Sequence, residues 1–191
     1  MLINGGDVAR YFDVASGVTV DLAVNGAQNT IGAGRDTLVA IEDIYGGTFD
    51  DTLSGSDGAN LIASGDSNDQ IFGRARNDVL VGGRGNDVIE GDDGDDLIWA
   101  ASTTDGPLTF SGNDIVRGGN GNDRNLGSAA SDTLQGDDGN GELTGFAGAE
   151  ILVGGAGNDL VRGDLGALTL DEGSGNDTSM FRRWNREGPN D

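Results

Sequence analysis

The sequence predicts an all-β fold: a β-solenoid in which short strands alternate with tight turns and one coil closes after every two nine-residue units. Three observations predict it. From Gly46 to Met180 the chain reads as fifteen consecutive nonapeptides in a single register, and the first place is Gly in eleven of them. The eighth place is aliphatic in twelve: Leu53, Ile62, Ile71, Leu80, Ile89, Ile98, Val116, Leu134, Leu143, Leu152, Val161 and Leu170. The sixth place is Asp in eleven. The pattern is plainest in GGRGNDVIE (82–90) and GDDGDDLIW (91–99). Glycine permits a tight turn, and one large aliphatic near the end of each unit supplies the inward residue of a short strand.

Composition alone points elsewhere. The 191 residues carry 33 Asp and Glu against 11 cations, all Arg, for a net charge of −22. With 36 Gly and 5% aromatic residues, that balance describes a self-repelling, disordered polymer. The register overturns this reading, because a low-complexity chain has no reason to place aliphatics nine residues apart. The acidic surface disfavours nucleic acid and anionic membranes, both of which need a basic footprint. The absence of Cys and His removes disulfides, thiolate metal sites, the usual zinc ligand and the commonest general base. No run of 18 apolar residues occurs, so no spanning helix and no membrane insertion is expected. The N-terminal MLINGGDVARYF lacks the basic-then-apolar pattern of a cleavable secretory signal.

Taken in order, residues 1–45 read as an N-terminal β cap or lead-in, or equally as the remnant of a larger neighbouring domain. Val14, Val18, Val20, Leu22 and Val24 partly alternate with small or polar residues, and Asn25-Gly26 is a turn signal. A second run, from Asp36 to Tyr45, completes an expected strand pair. Such a cap suits a repeat array, whose open end would otherwise expose apolar surface. Residues 46–180 form the fifteen-unit array, and 181–191 a polar tail, FRRWNREGPND, that reads as an end cap or frayed terminus. The unit AASTTDGPL (100–108) keeps the register but loses its glycines and puts Pro107 at the eighth place, so a bulged or looping turn is expected there. Asn125 at another eighth place weakens the core.

The sixth places carry the chemistry. Residues 18 apart stack on one side of a two-unit coil. One edge is therefore expected to carry Asp51, Asp69, Asp87, Asp105, Asp123, Asp159 and Asp177. The opposite edge would carry Asp78, Asp96, Asp114 and Asp132, flanked by Asn60 and Glu150. Carboxylates repeated at the strand spacing of roughly 4.8 Å repel one another. A calcium ion, with oxygen ligands at roughly 2.3–2.6 Å, fits between successive turns and reverses the sign of the interaction. Turn glycines at the first and fourth places, best in Gly82 and Gly85, Gly91 and Gly94, Gly118 and Gly121, and Gly154 and Gly157, would present backbone carbonyls to the same ions. Gly141 and Leu168 offer no carboxylate at the sixth place, so weak or empty sites are expected near them. The repeat region holds 25 acids and 6 Arg, a net −19, around a thin core. Calcium binding and folding are therefore expected to be one event.

These repeats resemble the repeats-in-toxin, or haemolysin-type, calcium-binding family. The resemblance rests on GGRGNDVIE, GGNGND and GGAGNDLVR, and on the lead-in DTLVAIEDIYGGTFDDTL from Asp36 to Leu53. It implies a parallel β-roll, a right-handed solenoid in which the first six residues of each unit make a turn and the last three a strand. It also implies several Ca2+ ions held by the sixth-place Asp and loop carbonyls. Family members are typically exported from Gram-negative bacteria by type I secretion machinery and fold outside the cell. They usually carry an effector domain such as a protease, lipase or epimerase and an apolar C-terminal export signal. No effector is legible here, and REGPND does not resemble that signal. The leading expectation is thus a secreted, non-catalytic calcium-binding and folding module. The alternatives are an accessory module or fragment of a type I-secreted enzyme, or a calcium-stiffened adhesin segment. An EF-hand is set aside, because its twelve-residue loop ending in Glu and its flanking helices are missing.

Overall fold

A computed structural model describes residues 7–102 and 112–181. It is all-β, with eighteen strands among the described residues, and those from Gly46 on follow from the nine-residue pattern: the eighth place points inward while the seventh and most ninth places face out. One parallel sheet runs through β1 (Val8–Arg10), β5 (Asp43–Tyr45), β7 (Leu61–Asp66), β9 (Val79–Arg84), β11 (Leu97–Ala101), β13 (Arg124–Ser128) and the first part of β15 (Glu142–Val153), then β16 (Leu160–Gly163) and β18 (Thr178–Phe181). The other runs through β2 (Thr19–Asp21), β6 (Thr52–Ser54), β8 (Gln70–Ala75), β10 (Val88–Asp93), β12 (Ile115–Asn120), β14 (Thr133–Asp138), the second part of β15, and β17 (Leu165–Asp171). Successive strands alternate between the two sheets, which is the parallel β-roll expected.

The core is a single file from each sheet. Ile62, Leu80, Ile98, Leu143 and Val161 on one side face Leu53, Ile71, Ile89, Val116, Leu134 and Leu152 on the other, all with no exposed surface. The file continues before Gly46 through Ile44 and Val20, so β1, β2 and β5 extend the same two ladders. From β7 on the strands are longer than three residues. In β7 to β10 pairing continues from the seventh to the ninth place and on into the next turn, as in Gly65 opposite Gly83.

Two expectations need correction. The first concerns residues 14–45: only Thr19–Asp21 of the first run is a strand, and Asn25-Gly26 precedes an antiparallel hairpin rather than turning it. The hairpin pairs β3 (Gly26–Ile31) with β4 (Gly34–Leu38) and reverses at Gly32-Ala33. Thr30, wholly buried, explains the choice: its hydroxyl donates to Asp36 Oδ2 at 2.8 Å and fastens the two arms. The second run divides between β4 and β5, with Tyr45 held under Phe12 and the Arg10 guanidinium.

The second correction changes the edges. Val88 pairs with Ile115 and Leu97 with Arg124, steps of 27 residues where the rest of the array steps by 18. One turn is composite. Ala101 pairs with Gly83 at the second place, while Gly112 N–H donates to Gly85 O at the fourth place and Asp87 N–H to Asp114 Oδ1 at the sixth. Ala100-Ala101-Ser102 and Gly112-Asn113-Asp114 together make one six-residue turn, with nine residues between them in sequence. The expected looping turn at Pro107, and Asp105 with it, lie outside the described residues. Asp114 and Asp132 therefore stack with Asp51, Asp69 and Asp87, and Asp123, Asp159 and Asp177 with Asp78 and Asp96. The edges exchange members because a step of 27 residues is an odd number of units, which the unbroken sequence period does not show.

Candidate metal centre

Each edge of the roll is a chain of hydrogen bonds between sixth places. On the first, the backbone N–H of Val18, Asp51, Asp69, Asp87 and Asp114 each donates to Oδ1 of the next Asp up the stack, at 2.7–2.9 Å, and Asp132 N–H reaches Glu150 Oε2 at 3.0 Å. On the second, Asn60, Asp78 and Asp96 donate in the same way to Asp78, Asp96 and Asp123. Gly141 interrupts this edge, which resumes from Gly141 N–H to Asp159 and from Asp159 N–H to Asp177. The Leu168 side chain sits under Gly163 and against the core, on the first edge. Of the three described sixth places without an acid, Asn60 and Gly141 thus fall on the second edge and Leu168 on the first.

The second carboxylate oxygen is a different matter. Oδ2 of Asp69, Asp78, Asp87, Asp96, Asp114, Asp123 and Asp159, and Oε1 of Glu150, are buried with no hydrogen-bond partner. A buried carboxylate oxygen left unpaired is costly, so it implies either a proton or a cation. Burial, reinforced by the neighbouring carboxylates, raises Asp69, Asp78, Asp87 and Asp96 to a pKa of about 7 and Asp114 to about 9, against the opposing effect of the backbone N–H bonds. Asp123 rises to about 6 and Glu150 to about 8 for the same leading reason. Arg74, Arg117 and Arg124 are engaged with Asp21, Glu90 and Glu142.

The turn backbone explains the glycines. In turn 82–87 the second and fourth places, Gly83 and Gly85, have φ of +119° and +120°, the left-handed region that glycine enters at least cost. The other fourth-place glycines singled out, Gly94, Gly121 and Gly157, share it. The first place is small for another reason: a Cβ on Gly82 would lie 2.5 Å from Asp87 Oδ2 and 2.5 Å from Ala100 O of the next coil. Gly91, Gly118 and Gly154 are crowded by Asp96, Asp123 and Asp159 in the same way. Arg74, Asp92, Asp137 and Phe146 hold the left-handed second place without being glycine, which no sequence pattern announced.

Among the described residues no three Asp, Glu, His or Cys side chains converge on one point. A cation here must therefore draw most of its ligands from backbone carbonyls, which suits a hard ion with six to eight oxygen ligands. The donor set is all oxygen, without sulfur or imidazole, as calcium prefers over zinc or copper. The unpaired buried oxygens fit such an ion.

A further stack lies outside these carboxylates and was not foreseen. Fifth-place side chains run up both edges: Asn86 N–H donates to Asn68 Oδ1 and Asn113 N–H to Asn86 Oδ1 on one, Asn140 N–H to Asn122 Oδ1 and Asn158 N–H to Asn140 Oδ1 on the other, at 2.8–3.0 Å. The signal was available, since Asn recurs at the fifth place in the same nine-residue register.

No helix among the described residues is long and apolar enough to cross a membrane. The family model of the RTX calcium-binding nonapeptide repeat matches residues 45–75, 72–106, 109–143, 126–161 and 144–178. No curated protein matches the chain. With the repeat matched over most of its length, and with a parallel β-roll whose turns carry buried, unpaired carboxylate oxygens, the chain belongs to the RTX calcium-binding nonapeptide repeat family and binds several Ca2+ ions.

Proposed function

We propose that this chain is a calcium-coupled folding module, working outside the cell, whose ions lie between successive turns of each edge. The carrying observation is the two rows of buried carboxylates with an unpartnered oxygen: Asp69, Asp87 and Asp114 on one edge, Asp78, Asp96, Asp123 and Asp159 on the other. These are the strongest ligand candidates, with carbonyls of the turns that contain Gly82, Gly85, Gly91, Gly94, Gly118, Gly121, Gly154 and Gly157 completing the shells. Asp177 ends the second row. Asp51 is weaker, because both its oxygens already accept backbone N–H bonds, from Val18 and Gly47.

When bound, calcium supplies positive charge to carboxylates that the chain's own hydrogen bonds leave half satisfied. The chain does the rest. Left-handed second and fourth places shape the loop, the first-place glycine makes room for the carboxylate, and the sixth-place N–H fixes Oδ1 of the next turn so that Oδ2 is held ready. At low calcium the rows of buried carboxylates oppose folding; at high calcium they drive it. Such a device stays unfolded where calcium is scarce and folds where it is abundant, which supports a secreted module compatible with type I export. The hairpin of β3 and β4, with β1 and β2, serves as the N-terminal cap. The role is binding and folding rather than catalysis.

Far-ultraviolet circular dichroism of the full chain during a calcium titration, with magnesium as control, tests the reading. The expected result is a cooperative coil-to-β transition with calcium alone. A chain that is fully folded in chelator, or that responds equally to magnesium, overturns it.

A further inference from the structure

Ten of the described turns fall into two kinds by conformation; the composite turn ending at Asp114 belongs to neither, since Ala101 and Gly112 have no positive φ although Asp114 Oδ2 is unpartnered. In 64–69, 73–78, 82–87, 91–96, 118–123, 145–150 and 154–159 the second and fourth residues both have positive φ, and the sixth-place side chain ends in an unpartnered buried oxygen. In 46–51, 55–60 and 127–132 no residue has positive φ, and no sixth-place oxygen is left over. The second-place N–H closes the turn instead: Gly47 N–H donates to Asp51 Oδ2 at 2.8 Å, Ser56 N–H to Asn60 Oδ1 at 2.7 Å and Ser128 N–H to Asp132 Oδ2 at 2.6 Å.

Two of these closed turns share something more. Ser occupies the second place only in GSDGAN (55–60) and GSAASD (127–132). In both, its Oγ accepts the N–H two residues on, from Gly58 and from Ala130, each at 3.1 Å. In the second turn the wholly buried Ser128 also donates its hydroxyl to Asp132 Oδ2 at 2.8 Å. Asp132 Oδ1 takes Asp114 N–H at 2.9 Å, so both its oxygens are engaged. Asn60 in the first turn keeps the oxygen but not the charge, and its amide donates to Glu42 O at 2.6 Å. Two units far apart in sequence, on opposite edges, arrive at one solution.

We propose that Ser56 and Ser128 close their turns in place of a metal ion, so that a serine at the second place specifies where along the array calcium is not taken up. This rests on the calcium reading above. The physical reason is competition for one oxygen: the lone pairs of Asp132 Oδ2 that would face a cation instead accept an N–H and an O–H of the same turn. A calcium ion at that position would have to displace both and drive Ser128 and Ala130 into left-handed φ, which is unfavourable for residues with a Cβ. Serine closure holds such a turn in shape without metal, and the next turn of the same edge stacks on it.

The test adds a site. In the full chain, S128G/A130G converts GSAASD to GGAGSD, close to the GGAGND of 154–159. Calcium bound per chain at saturation, counted by equilibrium dialysis and native mass spectrometry, is expected to rise by at least one ion over wild type. An unchanged count in a variant that shows the calcium-induced β spectrum overturns the proposal. Should S128G/A130G show no such spectrum, D132N in the otherwise wild-type chain decides. It is expected to keep the wild-type count while D87N loses one ion or more, and a loss in D132N overturns the proposal. A wild-type chain that takes up no calcium instead overturns the proposed function, and this inference with it.

Discussion

Acid should do part of calcium's work. In the metal-free fold the sixth-place carboxyls of Asp69, Asp78, Asp87 and Asp96 have their pKa raised to about 7 by burial, whereas in the unfolded chain they titrate near the ordinary Asp value of about 4. Between those limits the folded state binds more protons than the unfolded one, so its stability falls as pH rises from about 4 to about 7, and the full penalty stands above that. At pH 5 each such carboxyl, taken alone, recovers about 3 kcal/mol relative to pH 8. The rows titrate as coupled sets, so these contributions do not simply add. Even one of them is a sizeable fraction of the whole stability of a typical domain, about 5–15 kcal/mol. The metal-free chain is therefore expected to be coil at pH 8 and to gain β structure at pH 5. Calcium's midpoint should move to higher concentration as pH falls, because each ligand must first lose its proton. Circular dichroism in metal-free buffer at the two pH values reads this, with light scattering to separate folding from association near the sequence pI of about 4.1. Identical coil spectra at pH 5 and pH 8, or more β structure at the higher pH, would refute the reasoning.

Three further outcomes follow from single side chains. Ile89→Ala empties a wholly buried place in the single-file core and should cost about 2–5 kcal/mol in thermal or urea unfolding with calcium present. Gly82→Ala places a Cβ 2.5 Å from Asp87 Oδ2 and from Ala100 O, and should raise the calcium midpoint of folding and lower the number of ions bound, both read in one titration. Asn125→Leu replaces a buried amide, whose Oδ1 has no partner between Ile98 and Leu143, with the aliphatic that the eighth place otherwise carries. It should stabilise the calcium-bound chain by about 1–2 kcal/mol, seen as a higher melting temperature.

What the sequence made legible was what recurs at a fixed period. The eighth-place aliphatics forecast the core residue by residue because burial in a thin solenoid leaves one inward place per strand. The sixth-place Asp forecast the two rows because a coil of two units stacks them. Three features escaped for physical reasons. The edge exchange at Asp114 and Asp123 depends on which unit joins the ladder, and the period runs unbroken whether or not a unit is left out of the stack. The left-handed φ of Arg74 and Asp92, which pair with each other across the ladder, falls where local preference would call for glycine, so residue type does not announce it. The hairpin at Gly32-Ala33 is fastened by buried Thr30 reaching Asp36 across its two strands, a contact that the turn signal at Asn25-Gly26 does not announce.

The composite turn yields the most demanding prediction. Its first three places come from Ala100, Ala101 and Ser102 and its last three from Gly112, Asn113 and Asp114, and each half stacks on its counterpart in turn 82–87. Deleting residues 103–111 joins the halves directly as A-A-S-G-N-D, a six-residue turn with Gly, Asn and Asp at the fourth, fifth and sixth places. The 27-residue steps from Val88 to Ile115 and from Leu97 to Arg124 then become 18, the step of the other coils within the array. Nothing else in the ladder has to move, because both edges use the same sixth-place hydrogen bond. The deletion variant is therefore expected to fold with calcium to the same β spectrum, with a midpoint within about threefold of wild type and a melting temperature no lower. A shorter connection between the two halves also costs less closure entropy. Loss of the calcium-induced transition in this variant would show that the nine residues are needed for the ladder, and that the composite turn is not a regular turn with an insertion.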